Sequence, residues 1–322
     1  MPDRFLALSR QDRADALAVV AGVSGRPVHL LEKDVWVVWA LQALFASPFG
    51  THLVFKGGTS LSKGYGAIRR FSEDVDLTYD IRAIAPDLVA NTPDGLPANR
   101  SQEKRWSKDI RARLVSWTHD EVLPVLAEAI AVERLSVQAR VEDDVVYLDY
   151  DPLAVGTGYV RPSVMLEFGG RATGEPWKAL AVSADAAAHL PQLQFPSTVA
   201  QVMRAERTFW EKATAIHVYC AQGRFRGAAR FARHWHDLTR LDAAGYAAAA
   251  LADRALAEAV AIHKGPSSRR RTPMGGPSTM RRRSPENFTL CRQARHWRGW
   301  RMITAIWSKT GCCLMTLNPS MR

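Results

Sequence analysis

The sequence predicts an α+β protein in which an N-terminal unit of mixed helices and strands is followed by a helical unit. Three observations carry this reading. Short β-branched or alternating runs fall at residues 52–55 (HLVF), 74–79 (DVDLTY), 134–142, 145–150 and 163–168. Longer stretches at 9–22 and 103–133 read as helical, and 30–46 has apolar positions dense enough for a buried helix. From about Pro196 the text turns helical, through QVMRAERTFWEKATAIHVYCAQ, RGAARFARHWHDLTRLDAAG and an alanine-rich stretch at 246–263. The expected division is an α/β domain over 1–190, a helical domain over 191–264, and a basic tail over 265–322.

A polar helix over 9–22 leads past Gly25 and Pro27 into the stretch 30–46, where Val35, Val37, Val38, Ala40, Leu41, Leu44 and Phe45 mark a buried helix. Its apolar part, 35–45, is too short to span a bilayer and is entered through Glu32, Lys33 and Asp34. Pro48 and Gly50 break the chain before the strand at 52–55. Gly57 and Gly58 follow at once, and Thr59 or Ser60 is placed to cap a short helix running to about Tyr65. In 74–79, Asp74 and Asp76 share one strand face while Val75 and Leu77 take the other. Residues 85–100 hold three Pro, one Gly and two Asn and read as a surface loop. Pro124 is expected to interrupt the helix at 103–133, and Gly156, Gly158 and Pro162 separate the last two strands.

With 47% apolar and 23% charged residues over 322 positions, the chain can bury a real core and is not a disordered tail. Its four cysteines, at 220, 291, 312 and 313, form no disulfide framework, and Met1 is followed by polar PDRF. A cytoplasmic protein without signal peptide or membrane anchor is expected. The net charge of +11 is unevenly placed: residues 265–322 hold 12 of the 43 basic residues and one of the 32 acids, leaving 31 of each upstream. The main body is neutral. The tail reads either as a basic arm whose Arg and Trp bind RNA, or as an unstructured or non-native end such as a shifted reading frame generates. The second is favoured, because Cys312 and Cys313 have no metal-ligand partners at a useful spacing and no helical or strand period persists.

The sharpest chemistry lies in residues 56–80, KGGTSLSKGYGAIRRFSEDVDLTYD. A strand ending in Gly57-Gly58 lets backbone amides approach an anion closely, with a Ser60 or Ser62 hydroxyl beside them. Asp74 and Asp76 then present two carboxylates on one face, a donor set suited to Mg²⁺ against phosphate oxygens. A tight turn alone would explain the glycines, and a solvated strand edge the DVD. Together they have one economical interpretation, metal-assisted phosphoryl or nucleotidyl transfer. The run lacks the Gly-Lys-Ser/Thr of a P-loop, and neither a GxGxxG fingerprint, a protein-kinase motif set nor a GxSxG elbow is present.

A third carboxylate would complete such a site. Glu167 in VMLEFGG shares a face with Met165, opposite Val164, Leu166 and Phe168; it is expected to face a cleft, a metal or a base, or else to pair with Arg171. Glu142, Asp143 and Asp144 suit a turn better. In ERTFWEKATAIH, Lys212 would either offset charge on a departing pyrophosphate or belong to an ordinary helix ion pair. Arg233, His234, His236 and Asp237 form a second polar knot, in which Asp237 would orient Arg233 or Lys212, or simply cap local charge. Two His at i, i+2 do not share a helix face, so this is not a zinc site of the HExxH kind.

EKDVW at 32–36, FKGGTSLSK at 55–63, RRFSEDVDL at 69–77, LEFGG at 166–170, RTFWEK at 207–212 and RHWHDL at 233–238 occur in the order seen in one family. The chain resembles the AbiEii/AbiGii toxin family of nucleotidyltransferases over about residues 15–264. The resemblance implies a DNA polymerase β-like nucleotidyltransferase core followed by a helical C-terminal part. It implies a site in which Gly57, Gly58 and Ser60, with Lys56, Thr59 and Lys63 around them, hold a nucleoside triphosphate. Asp74 and Asp76 would hold Mg²⁺ or Mn²⁺, with Glu167 as third carboxylate, and Lys212 and Asp237 would be the later motifs. The tail departs from the family, whose members continue after the HK at 263–264 into an aromatic and acidic helical region.

The expected function is that of a toxin in a toxin–antitoxin, abortive phage infection system, with a cognate antitoxin encoded nearby. It would transfer a nucleotide from NTP to RNA, the tRNA 3′ end being the favoured acceptor. Because the body is neutral, a tRNA footprint would need a local patch such as Arg224, Arg226, Arg230 and Arg233. The competing readings are an inactive module of the same fold that binds RNA or a partner, and transfer to a protein acceptor.

Overall fold

The computed structural model describes residues 2–70, 74–92, 95–156, 160–222 and 228–268. The chain divides into two units, Met1–Arg204 and Ala205–Arg322. The first contains β1 (Asp3–Arg4), α1 (Arg10–Ser24), α2 (Val28–Ala46), β2 (Leu53–Lys56), α3 (Gly57–Lys63) and β3 (Asp74–Tyr79). After these come α4 (Ile81–Ile84), α5 (Pro86–Val89), α6 (Arg100–Trp117), α7 (Leu123–Glu133), β4 (Val137–Glu142), β5 (Val145–Tyr150), β6 (Ser163–Gly169), β7 (Trp177–Ser183), β8 (Leu193–Gln194) and β9 (Ser197–Met203). Seven strands form one sheet in the order β4-β5-β6-β3-β2-β9-β7, and β1 pairs in parallel with β8.

Local chemistry explains most boundaries. Ser9 caps α1 by accepting from the Asp12 amide at 3.1 Å, and Gly25 ends the helix at φ +70°. Helix α2 is buried almost all round, and its Trp36 stacks on Tyr150 of β5 at 5.6 Å. Pro124 lacks the N–H that a continuous α-helix would need, and a π-helical turn at Thr118–Val122 carries the chain from α6 into α7 just before it. The acidic turn is as expected: Glu142 pairs with Val145 across a two-residue hairpin, with Asp143 at φ +55°.

Strand β3 lies in the middle of the sheet, parallel to β6 on one side and antiparallel to β2 on the other. Val75 and Leu77 point to the same apolar side as Phe55, Val164, Leu166 and Phe168, and all six are buried. Trp117, at the end of α6, closes that side by stacking on Tyr79 at 4.2 Å and meeting Phe168 edge-on at 5.1 Å. The opposite side of β3 therefore carries Asp74 and Asp76.

Two expectations change. The text after Pro196 does not begin the helical half: Ser197–Met203 is a strand, seated between β2 and β7. Consequently the division between units falls after Arg204 and not near residue 190. The loop expected at 85–100 also contains α5, which starts on Pro86, a residue preset for a first helical turn.

The second unit contains α8 (Ala205–Gln222), α9 (Ala228–Ala243), α10 (Tyr246–Ala252) and α11 (Arg254–Ser268). The alanine-rich stretch is two helices because Asp253 leaves helical geometry and accepts from the Leu256 amide at 3.0 Å. Trp210 of α8 is buried and donates its indole N–H to the Ala250 carbonyl of α10 at 3.0 Å. Among the described residues no helix is long and apolar enough to cross a membrane.

Candidate active site

The register of three strands builds the site. Lys56 of β2 stands opposite Asp76 of β3, and Asp76 stands opposite Glu167 of β6. Residues in register point to one face of a sheet, so Lys56, Asp76 and Glu167 form a row across it. Asp74, two residues before Asp76, lies on the same face beside Met165. Both Asp are half-buried and Glu167 is exposed, so no burial cost attaches to its charge. Lys56 extends across β3: its Nζ lies 3.5 Å from where a β-carbon on Gly169 would sit.

Gly57 joins this row to α3. It sits at φ +79°, and a β-carbon there would fall 2.8 Å from Asp76 Cγ and 3.0 Å from Asp76 Cβ, with the carboxylate oxygen nearer still. Glycine is needed twice over, for the dihedral and for the close approach of the backbone to the carboxylate. The expected caps do not cap: α3 begins at Gly57, the Thr59 hydroxyl donates to the Asp74 carbonyl at 2.6 Å, and Ser60 donates to the Gly57 carbonyl at 3.0 Å. Thr59 thereby ties α3 to the strand that carries both Asp.

Among the described residues no three Asp, Glu, His or Cys side chains converge as a ready cation site. The donor set of Asp74 and Asp76 is nonetheless the hard-oxygen kind that Mg²⁺ or Mn²⁺ prefers, and the missing β-carbon at Gly57 leaves the backbone against it.

In the helical unit, Lys212 of α8 and Asp237 of α9 form an ion pair at 2.9 Å, with the Asp237 side chain fully buried. His236 Nδ1 lies 3.2 Å from the other Asp237 oxygen. Lys212, one of the two partners considered for Asp237, is thus at bonding distance. Arg207 and Glu211 make the i, i+4 pair along α8. Burial lowers the pKa of nearby His217 on the same helix.

A family model described as the nucleotidyl transferase AbiEii toxin of a type IV toxin–antitoxin system matches residues 39–302. The chain belongs to the AbiEii nucleotidyltransferase toxin family. Seven chains of solved structures match as well. One is MenT4, a nucleotidyltransferase toxin from Mycobacterium tuberculosis H37Rv, at 22% identity and a TM-score of 0.35, covering 65% of this chain and 59% of that one. This chain thus spans less than two thirds of that toxin's length. No curated protein matches.

The AbiEii assignment leaves several expected residues in places that the text did not foresee. Ser60 is fully buried and Thr59 nearly so, and both hydroxyls already donate inside the fold. Lys63, read as a nucleotide ligand, has a buried side chain whose ammonium donates to Asp34 and to Asp185, each at 2.7 Å. It is a scaffold cation as the structure places it. Gly58 is buried in α3 behind Gly57. Arg233 is half-buried on α9; Arg224, Arg226, the side chain of Arg230 and residues 269–322 lie outside the described residues.

The residues missed were the charged triplet 32–34. All three are buried within α2: Glu32 accepts from the Leu153 amide at 2.8 Å, Lys33 donates to the Arg161 carbonyl at 3.4 Å, and Asp34 meets Lys63 and the Asp185 amide. Burial raises the Glu32 pKa to about 7, against the Leu153 hydrogen bond and the charges of Arg13 and Arg10. Burial likewise pushes Asp34 up while Lys63 pulls it down. A run of charges inside an otherwise apolar helix was the available signal.

Proposed function

We propose that this AbiEii-family toxin is a metal-dependent nucleotidyltransferase with a polymerase β-like core, which adds a nucleotide from NTP to an RNA acceptor, the tRNA 3′ end foremost. The observation that carries the reading is the approach of the Gly57 backbone to the Asp76 carboxylate, beside Asp74 and in register with Glu167. Such an arrangement suits phosphoryl chemistry, where the protein's task is positioning and charge stabilisation.

Asp74 and Asp76 would hold the Mg²⁺ or Mn²⁺, which when bound neutralises charge on the phosphate oxygens. Gly57 and Gly58 would let the triphosphate lie against backbone, with Lys56 supplying positive charge from the same sheet face. Glu167, exposed and next to Asp76, is suited to accept the proton of the attacking hydroxyl. In the helical unit, Lys212, its ammonium held by Asp237, is the cation that the later family motif would contribute. Support for a polyanionic acceptor comes from α6, where Lys104, Lys108 and Arg111 are exposed at i, i+4 and i+7. The cognate antitoxin expected to be encoded nearby would neutralise the toxin in a cytoplasmic setting.

Purified protein incubated with labelled NTPs and total RNA, followed by sequencing of tRNA 3′ ends from arrested cells, tests the reading. Extended tRNA ends that vanish with Asp74→Ala or Asp76→Ala, at a loss of about 10²-fold or more in rate, are expected. Unextended tRNAs in arrested cells overturn the tRNA acceptor. Turnover by both variants near the wild-type rate overturns the site.

A further inference from the structure

Helix α3 places Gly57 against Asp76, yet it has only seven residues, Gly57–Lys63. Isolated helices of that length are not stable in water, so its position must be imposed from outside. At its start, the Thr59 hydroxyl holds the Asp74 carbonyl at 2.6 Å. At its end, about 9 Å away at 1.5 Å per residue, Lys63 reaches two carboxylates from distant parts of the chain. Asp34 Oδ1 and Asp185 Oδ1 each accept from Nζ at 2.7 Å.

The partners are themselves fixed. Asp34 Oδ2 accepts from the Asp185 amide at 2.7 Å, and the second Asp185 oxygen pairs with the Arg26 guanidinium. Charges alternate along Arg26, Asp185, Lys63 and Asp34. The Lys63 and Asp34 side chains are only 6% and 8% exposed, so the ammonium has little surface to offer a phosphate. A buried pair of this kind is weak as net stabilisation but costly to break, because the remaining charge stays buried without a partner.

We propose that Lys63 is a positioning residue, whose buried ammonium, shared by Asp34 and Asp185, locks α3 so that Gly57 stays packed on the Asp76 carboxylate. The role rests on the reading of Asp76 as a site carboxylate. It separates Lys63 from Lys56 within one short motif: Lys56 lies on the open sheet face, and Lys63 acts from within the fold.

The test uses the full chain with Asp34→Asn, Asp185→Asn, Lys63→Met and the Asp34→Asn/Lys63→Met double variant. Amide hydrogen exchange is followed in α3 and, as reference, in β4 and β5, together with binding of each α,β-methylene NTP. Asp34→Asn and Lys63→Met are expected to speed α3 exchange by at least about tenfold while β4 and β5 are unchanged. Both should weaken nucleotide binding by similar factors, and the double variant should be no worse than either, since the pair acts as a unit. Asp185→Asn keeps the Asp34 contact and should give a smaller change of the same sign, which decides the matter if Asp34→Asn fails to fold. Unchanged α3 exchange in every variant overturns the proposal. So does nucleotide binding weakened by Lys63→Met alone, which would make Lys63 a direct ligand. Should the wild-type protein bind no nucleotide, the proposed function fails, and α3 exchange still decides the clamp.

Discussion

Gly57→Ala separates chemistry from folding more cleanly than removal of a carboxylate. At φ +79° an alanine pays about 1 kcal/mol relative to glycine for the left-handed backbone. Its β-carbon would stand 2.8 Å from Asp76 Cγ, and an ordinary contact begins at 3.4 Å, so Cγ must retreat by about 0.6 Å and the nearer oxygen by more. Displacements of about 1 Å at a reacting centre cost about 10²-fold in rate. The dihedral effect is isolated by Gly25→Ala, where φ is +70° and a β-carbon would meet nothing within 4 Å. Both variants should lose about 1 kcal/mol, a Tm drop of about 2–4 °C, while only Gly57→Ala should lose nucleotidyl transfer, by about 10²-fold. Thermal unfolding and labelled-NTP transfer at matched folded fraction measure the two effects. Transfer by Gly57→Ala within threefold of Gly25→Ala would show that the approach to Asp76 does not matter to the reaction.

Three further outcomes are expected. Lys212→Met removes the cation paired with the fully buried Asp237 carboxylate, leaving His236 at its other oxygen, and should cost about 3–5 kcal/mol; Lys212→Met/Asp237→Leu should recover most of that in urea unfolding without recovering transfer, and recovery of transfer would make the pair purely structural. Glu32 titrates at about 7 in the fold against an ordinary 4.5, so the folded protein holds a proton that the unfolded chain releases, and stability should fall as pH rises from 4.5 to 7. Glu32→Gln should flatten that slope and stabilise at pH 8 by up to about 3 kcal/mol; parallel pH profiles for variant and wild type would contradict the burial argument. Replacing Lys104, Lys108 and Arg111 by Gln should weaken RNA binding uniformly and lower its salt slope by about 2–3, with an unchanged slope removing α6 from the footprint.

Much of the candidate site was legible in the text because it is local. The period of two in 74–79 puts Asp74 and Asp76 on one face whatever the surroundings, and Gly57-Gly58 after an apolar strand announces a close backbone approach. Glu167 was legible for the same reason, since Val164, Leu166 and Phe168 claim the other face of its strand. Its register with Asp76 was not, because strand pairing joins residues far apart in the chain through contacts that no local pattern records.

The tertiary structure decided the rest. Ser197–Met203 could be helix or strand by pattern, and the free sheet edge beside β2, closed further out by β7, made it a strand. Lys56 and Lys63 are alike in the text, seven positions apart, and only their surroundings set one on the open sheet face and the other between Asp34 and Asp185. The triplet Glu32-Lys33-Asp34 read only as the charged entry to a helix because its partners, at Leu153, Arg161, Lys63 and Asp185, lie far along the chain. Sequence alone determined the residue types, the strand faces and the family; which charges serve the site and which hold the scaffold follows from burial and partner, both of which exist only once the chain has folded.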